Sequence, residues 1–201
     1  MHRSVFGCLI DGLNRIEANP TTVRGQLESE ANAARKRLAT FVNADPEDLA
    51  FTTNVTVSLN LVVNGLTWEP GDQILASDQE YGAIDNCLHH AEREWGVGVR
   101  RAAIPIPPAG PEDILEAFEA GFTSRTRLVV CSHIATRTGL IAPIQELAKL
   151  AHEHNAMIAI DGAHGPGMIP LDLKEWKCDF YGGNCHKWLC APKGTGFLHA
   201  A

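Results

Sequence analysis

The sequence predicts an α/β fold, a mainly parallel seven-stranded sheet sandwiched by helices. Three observations predict it. Runs such as 127–133 (RLVVCSH) and 156–164 (AMIAIDGAH) are apolar without polar alternation until their ends, as strands buried on both faces are. Other segments repeat apolar residues every three or four positions, the period of an amphipathic helix. The two kinds alternate along the chain, which is the pattern of parallel strands joined by crossover helices.

The elements follow in order. Residues 24–43 set Leu27, Ala31, Ala34, Leu38 and Phe41 at helical spacing. A short strand falls around 49–52, and a helix over 55–65 ends at Gly65. Residues 72–77 (DQILAS) read as a strand, and 82–95 as a helix stopped by Gly96. The strand over 99–106 contains Pro105, which confines it to an edge or an end. The helix over 111–121 has Pro in its first turn and Gly at its end. After the strand 127–133, Pro143 opens a helix over 143–155, and 156–164 is a buried strand. Two short strands, in CDFYGGN and GTGFLHA, close the series. Residues 1–23 read as an N-terminal segment and 24–201 as one large domain.

Composition narrows the function classes. The 201 residues are 45% hydrophobic and 20% charged, ordinary for a globular chain. The net charge of −7 and the scattered basic residues argue against nucleic acid as a partner, because phosphate neutralisation needs clustered Lys and Arg. No apolar run reaches the roughly 18 residues of a membrane span, and the opening residues are too weakly patterned for a secretory signal. The six cysteines lack framework spacing. Together these features predict a cytoplasmic location with reduced thiols.

In parallel sheets ligands bind beyond the carboxyl ends of the strands, so the residues after each strand carry the information. They are Thr52 to Thr56, Asp78 to Tyr81, Ser132 to Thr136, Asp161 to His164, and Asn184 to Lys187. Asp161 is either a turn carboxylate or the counterion of a cation over the sheet edge. Thr52 to Thr56 lead into a helix and are either its cap or an anion seat. Tyr81 either caps the core or offers a flat face. Lys187 decides among these. With Trp188 and Leu189 behind it the amine is partly desolvated, which favours the neutral form needed for a Schiff base. A cofactor with a phosphate, a flat ring and a cationic ring nitrogen would use every one of these groups, and pyridoxal phosphate is that cofactor.

The motifs DGAHGPG and GNCHKWLCAPKGTGF, with FTTNVTVSLNLV, DQEYGA and CSHIATRTG in the same order, resemble the class V aminotransferase superfamily. Within it the likeness is to the isopenicillin-N-epimerase-like branch, beside the cysteine desulfurases, and it runs from about residue 19 to 198. The resemblance implies that Lys187 carries the cofactor and Asp161 keeps its pyridine nitrogen protonated. It implies that His164 sits near the phenolic oxygen, Tyr81 stacks on the ring, and Thr136 lies near the ring substituents. The Val55 amide and the Thr56 amide and hydroxyl take the phosphate, joined by Asn184 and His186. The implied substrate is a small amino acid, handled by epimerisation, transamination or elimination, with cysteine desulfurisation or C–S lysis as the alternative. The implied assembly is a homodimer. Family members continue into a small domain that supplies the arginine for the substrate carboxylate, so the 201 residues read as a large domain without it. Weak or no turnover is expected of this stretch alone, and a remnant that binds the cofactor weakly or not at all is the non-enzymatic alternative.

A zinc site fails on spacing, and a desulfurase-type catalytic cysteine is not expected here because the resemblance puts that residue beyond this stretch. Cys185, His186 and Cys190 do not form a paired C-x2-C zinc pattern. Cys185 and Cys190 are expected to pack as small hydrophobes.

Overall fold

The computed structural model describes residues 1–201. Helix α1 (Arg3–Ala18) and α2 (Pro20–Val42) lead into a 3-10 turn and strand β1 (Leu49–Thr52). Then come α3 (Val55–Gly65), β2 (Gln73–Ser77), α4 (Gly82–Trp95), β3 (Gly98–Ala102) and α5 (Pro111–Glu119). The chain continues through β4 (Thr126–Ser132), α6 (Ile144–Glu153), β5 (Met157–Gly162), α7 (Leu173–Trp176), β6 (Phe180–Asn184) and β7 (Gly196–Ala200). No helix is long and apolar enough to cross a membrane.

The strands form one sheet in the order β1-β7-β6-β5-β4-β2-β3. The pairs of β2 with β3 and β4, β4 with β5, and β5 with β6 are parallel. Strand β7 is antiparallel to both its neighbours, β6 and β1. Six strands therefore share one direction, and their carboxyl ends lie on one edge. Strand β3 is an edge strand, and it ends at Ala102, short of Pro105 and of the expected end at 106.

Strand periodicity divides the core in two. Leu75, Val129, Cys131, Ile158 and Ile160 face a cluster that includes Val42 of α2, Phe118 of α5 and Leu147 of α6. Their neighbours Ile74, Ala76, Leu128, Val130 and Ala159 face Leu59 and Val62 of α3 and Leu88 of α4. Alternate side chains of each strand thus feed opposite layers. Each buried Leu or Ile contributes roughly 1.5–3 kcal/mol.

Two elements depart from the sequence-based expectation. Residues 1–23 contain the whole of α1 and the start of α2, whose first residue is Pro20 behind an Asn19 cap. A domain boundary at residue 24 would cut α2. Helix α1 buries no residue and lies against α2. Its Phe6, Ile10 and Leu13 are exposed. Helix α7 is a single turn, too short to show a period.

Glycines at β6 let the layers close. A Cβ at Gly183 would lie 2.2 Å from the Phe197 ring, whereas Gly25 in α2 has open space around it. Gly183→Ala is expected to lower stability by about 1–3 kcal/mol through overpacking. Gly25→Ala should raise it by up to about 1 kcal/mol through helix propensity. Urea titration of both variants checks the opposite signs.

Candidate functional site

Five segments meet at the carboxyl edge of the sheet. Val55, Thr56, Tyr81, Thr136, Asp161, His164, Asn184 and Lys187 line one pocket, completed by Ser132, Ile134 and Ala163. His186 is not part of the lining. Its Nδ1 lies 2.8 Å from the Thr195 carbonyl oxygen, so that nitrogen donates.

The local sequence explains how α3 enters this pocket. Gly182 has Val55 Cγ1 at 3.0 Å from where its Cβ would stand. Helix α3 therefore starts close against β6. At the end of β6, Asn184 Oδ1 accepts the Val55 N–H at 3.0 Å. Asn54 Oδ1 caps the helix by accepting the Val57 N–H at 2.9 Å. The Val55 amide, expected on a ligand, is thus engaged within the protein. Thr56, between these capped positions, has no side-chain acceptor for its N–H, and its hydroxyl makes no protein hydrogen bond. The backbone N–H groups of a first helical turn carry partial positive charge and suit an anion.

Asp161 ends β5 between Ser132 of β4 and Gly182 of β6. It is 4% exposed, and its carboxylate accepts one hydrogen bond, from the Ala163 N–H at 2.9 Å. Burial pushes its pKa up, while that hydrogen bond and the Lys187 charge pull it down. Burial pushes the Lys187 amine down, against the attraction of Asp161. Lys187 Nζ lies 2.9 Å from His164 Nε2. His164 itself is held low, by burial first and then by the Lys187 charge. The cavity measures about 30 Å³, room for a water or two.

Two groups behind the pocket carry no signal in the sequence. Glu80 is buried and accepts hydrogen bonds from Ser77 Oγ at 2.5 Å, the Ser132 N–H at 2.9 Å and Ser132 Oγ at 2.8 Å. Burial pushes its pKa to about 7; the Ser77 hydrogen bond opposes the rise and the Asp161 charge adds to it. His133 Nδ1 meets the Tyr181 hydroxyl at 2.9 Å beneath the site, and burial holds His133 at about 4. Of the two cysteines beside the lysine, Cys185 packs into the core. Cys190 does not: it is exposed, at a φ of 57°. The turn that ends the Lys187 segment places its side chain outward.

Comparison with known proteins identifies the family and the fold. The family model for aminotransferase class-V matches residues 11–201. An isopenicillin N epimerase from Amycolatopsis lactamdurans is 43% identical over 171 residues, 84% of this chain and 43% of that protein. A cysteine desulfurase from Escherichia coli O6:K15:H31 is 33% identical over 184 residues, 89% of this chain and 44% of that protein. The solved complex of the cystine C–S lyase C-DES with its product cysteine persulfide superposes with a TM-score of 0.91 at 26% identity. It is covered by 100% of this chain and to 54% of its own. A C-DES mutant with glycine covalently linked to its PLP cofactor gives a TM-score of 0.89 at 25% identity, over 99% of this chain and 53% of that one. The chain spans less than half the length of these curated relatives.

The Glu80 environment generates a pH prediction. Its folded-state pKa of about 7 lies above the ordinary 4.5, so the folded chain holds the proton where the unfolded chain has lost it. Stability from this group is full below about 4.5 and falls as pH rises through 7. Glu80→Gln, which cannot ionise, should gain on the parent by up to about 3 kcal/mol between pH 5 and pH 8. The His133 contribution is common to both chains and cancels. Urea midpoints at the two pH values measure it, and a difference that stays constant with pH would contradict the assignment.

Proposed function

The chain belongs to the aminotransferase class-V family, and from that premise we propose that it forms the pyridoxal-phosphate-binding part of an enzyme acting at the α-carbon of an amino acid. The observation that carries this reading is the convergence of a buried acid, a partly desolvated lysine and an anion-ready helix start on one pocket. The donor set fits the group. Asp161 has a carboxylate with one hydrogen bond and no cation bonded to it, suited to a protonated ring nitrogen. Thr56 has an N–H without a side-chain acceptor and an unbonded hydroxyl, suited to a phosphate.

In this reading Lys187 is the point of attachment and Asp161 holds the ring nitrogen. Thr56 and the Asn184 amide nitrogen take the phosphate, with the Val55 amide positioned through Asn184, while His186, turned to the Thr195 carbonyl, stands outside the pocket lining. Tyr81 lies on the ring, and His164 and Thr136 meet its substituents. When bound, pyridoxal phosphate supplies an electron sink for charge left on an amino acid's α-carbon. The chain's own part is to bury that charge among neutral groups and to move the proton. Burial lowers the Lys187 amine from its ordinary value, and in this reading Lys187 is the base for the α-proton. The epimerases at 43% and 44% identity support epimerisation as the reaction of the whole protein. The superposition on a C–S lyase supports elimination as the second reading. The exposed apolar stripe of Phe6, Ile10 and Leu13 on α1 supports association into a homodimer.

Titration of the chain with pyridoxal phosphate should produce a visible absorbance band. Borohydride should then fix the cofactor on the peptide that contains Lys187. Attachment at Lys193, or at no lysine, would sink the reading. Asp161→Ala should weaken binding at least about tenfold, about 1.4 kcal/mol, and Cys190→Ala within about twofold. Equal losses would count against the role of Asp161.

A further inference from the structure

The indole N–H of Trp188 lies 3.1 Å from His164 Nδ1, on the far side of the imidazole from Lys187. An indole nitrogen only donates. His164 Nδ1 must therefore offer its lone pair, and a neutral imidazole with Nδ1 bare carries its proton on Nε2. That Nε2–H points at Lys187 Nζ, 2.9 Å away. An ammonium has no acceptor to receive it, whereas a neutral amine has one lone pair. We infer that Trp188 is a positioning residue that fixes the tautomer of His164 and, through the Nε2–H, holds Lys187 as a free amine.

This deepens the proposed function and rests on it only in naming what the free amine is for. The position of Trp188 is itself built in. Gly167 stands at a φ of 84°, with the Trp188 carbonyl carbon and oxygen 2.9 Å from where a Cβ would be. The Gly-Pro-Gly turn after His164 therefore packs directly on the backbone of Trp188. Trp188 is half exposed; its backbone is placed by this contact, and its indole N–H is bonded to His164.

Other groups face Lys187 from each side. Asp161 at the end of β5 favours the ammonium, and burial opposes it. Tyr81 at the start of α4 lines the same pocket. Glu80 stands behind Ser132 and bonds to it. On the Lys187 segment itself, His186 is turned to the Thr195 carbonyl and the Cys190 thiol toward the Trp188 carbonyl oxygen. Only His164 lies within hydrogen-bond distance of Nζ, so its tautomer adds directly to the balance. When Lys187 moves away, the same N–H is offered to whatever replaces it. The site then selects a ligand that presents a lone-pair or anionic oxygen there.

Nitrogen-15 NMR of the chain without cofactor reads the tautomer. In the parent, His164 should show a pyridine-like Nδ1 and a pyrrole-like Nε2. In Trp188→Phe, which keeps an aromatic ring but loses the donor, pyrrole-like Nδ1 should appear. The Lys187 pKa, followed by carbon-13 reductive methylation, should rise by about one unit in that variant. The rate of reaction with pyridoxal phosphate near pH 7 should then fall about tenfold and recover at high pH. Loss of packing alone would slow the reaction equally at every pH. A parent with protonated Nδ1, or a variant with unchanged tautomer and lysine pKa, would overturn the role of Trp188. Failure of the cofactor to bind would instead strike the proposed function, while the NMR readings would still decide this inference.

Discussion

Asp161 and Lys187 are held at the carboxyl edge of the sheet, and the desolvation they share is the constraint on which the rest of the site depends. Asp161 is almost wholly enclosed, yet it accepts a single hydrogen bond. An acid so placed is costly to ionise unless a positive group stands near. Burial acts on the lysine in the opposite sense. The same desolvation disfavours the charged form of each group. The surrounding layer follows this rule. Glu80 is raised by burial and by Asp161, and His133 is held neutral against Tyr181. Charge is kept scarce everywhere except where a ligand could bring its own.

Backbone proximity makes this arrangement possible. The consecutive glycines of β6 leave room for Phe197 on one face and Val55 on the other. The start of α3 is therefore drawn down to the strand that ends at Asn184, just before the Lys187 turn. Gly162 and Gly165 act likewise on the β5 side, where a Cβ would stand 2.1 Å from the Tyr181 ring and 2.2 Å from its hydroxyl oxygen, respectively. The site is a place where helix start, strand end and turn approach more closely than side chains would permit.

Much of this was legible in the sequence. The strands declared themselves as apolar runs, and Gly65, Gly96 and Pro111 marked helix ends that the structure keeps within a residue or two. The residues after each strand converge on one pocket because parallel strands share a carboxyl edge. What was hidden depends on contacts distant in the chain. Nothing local says that Glu80 turns inward, because its partner Ser132 is 52 residues away. The hydrogen bond from Trp188 to His164 requires the Gly167 turn to bring two segments together. Helix α1 carries a regular stripe at Phe6, Ile10 and Leu13, but the stripe faces outward, so no core confirmed it. The single turn of α7 is too short for any period.

Strand β7, the one that runs against the others, has a consequence for the order of assembly. Strand β1 is bonded in the sheet to β7 alone, pairing Leu49 with His199 and Thr52 with Gly196. The first strand made is thus joined to the sheet by the last. Until residues 196–200 have emerged during synthesis, β1 has no neighbour and α3 lacks half of its seat. Closure across so long a stretch of chain is entropically slow, and an unpaired strand edge invites wrong partners in the meantime. The anion end of the pocket, built at the start of α3, therefore waits on a strand made about 140 residues after it.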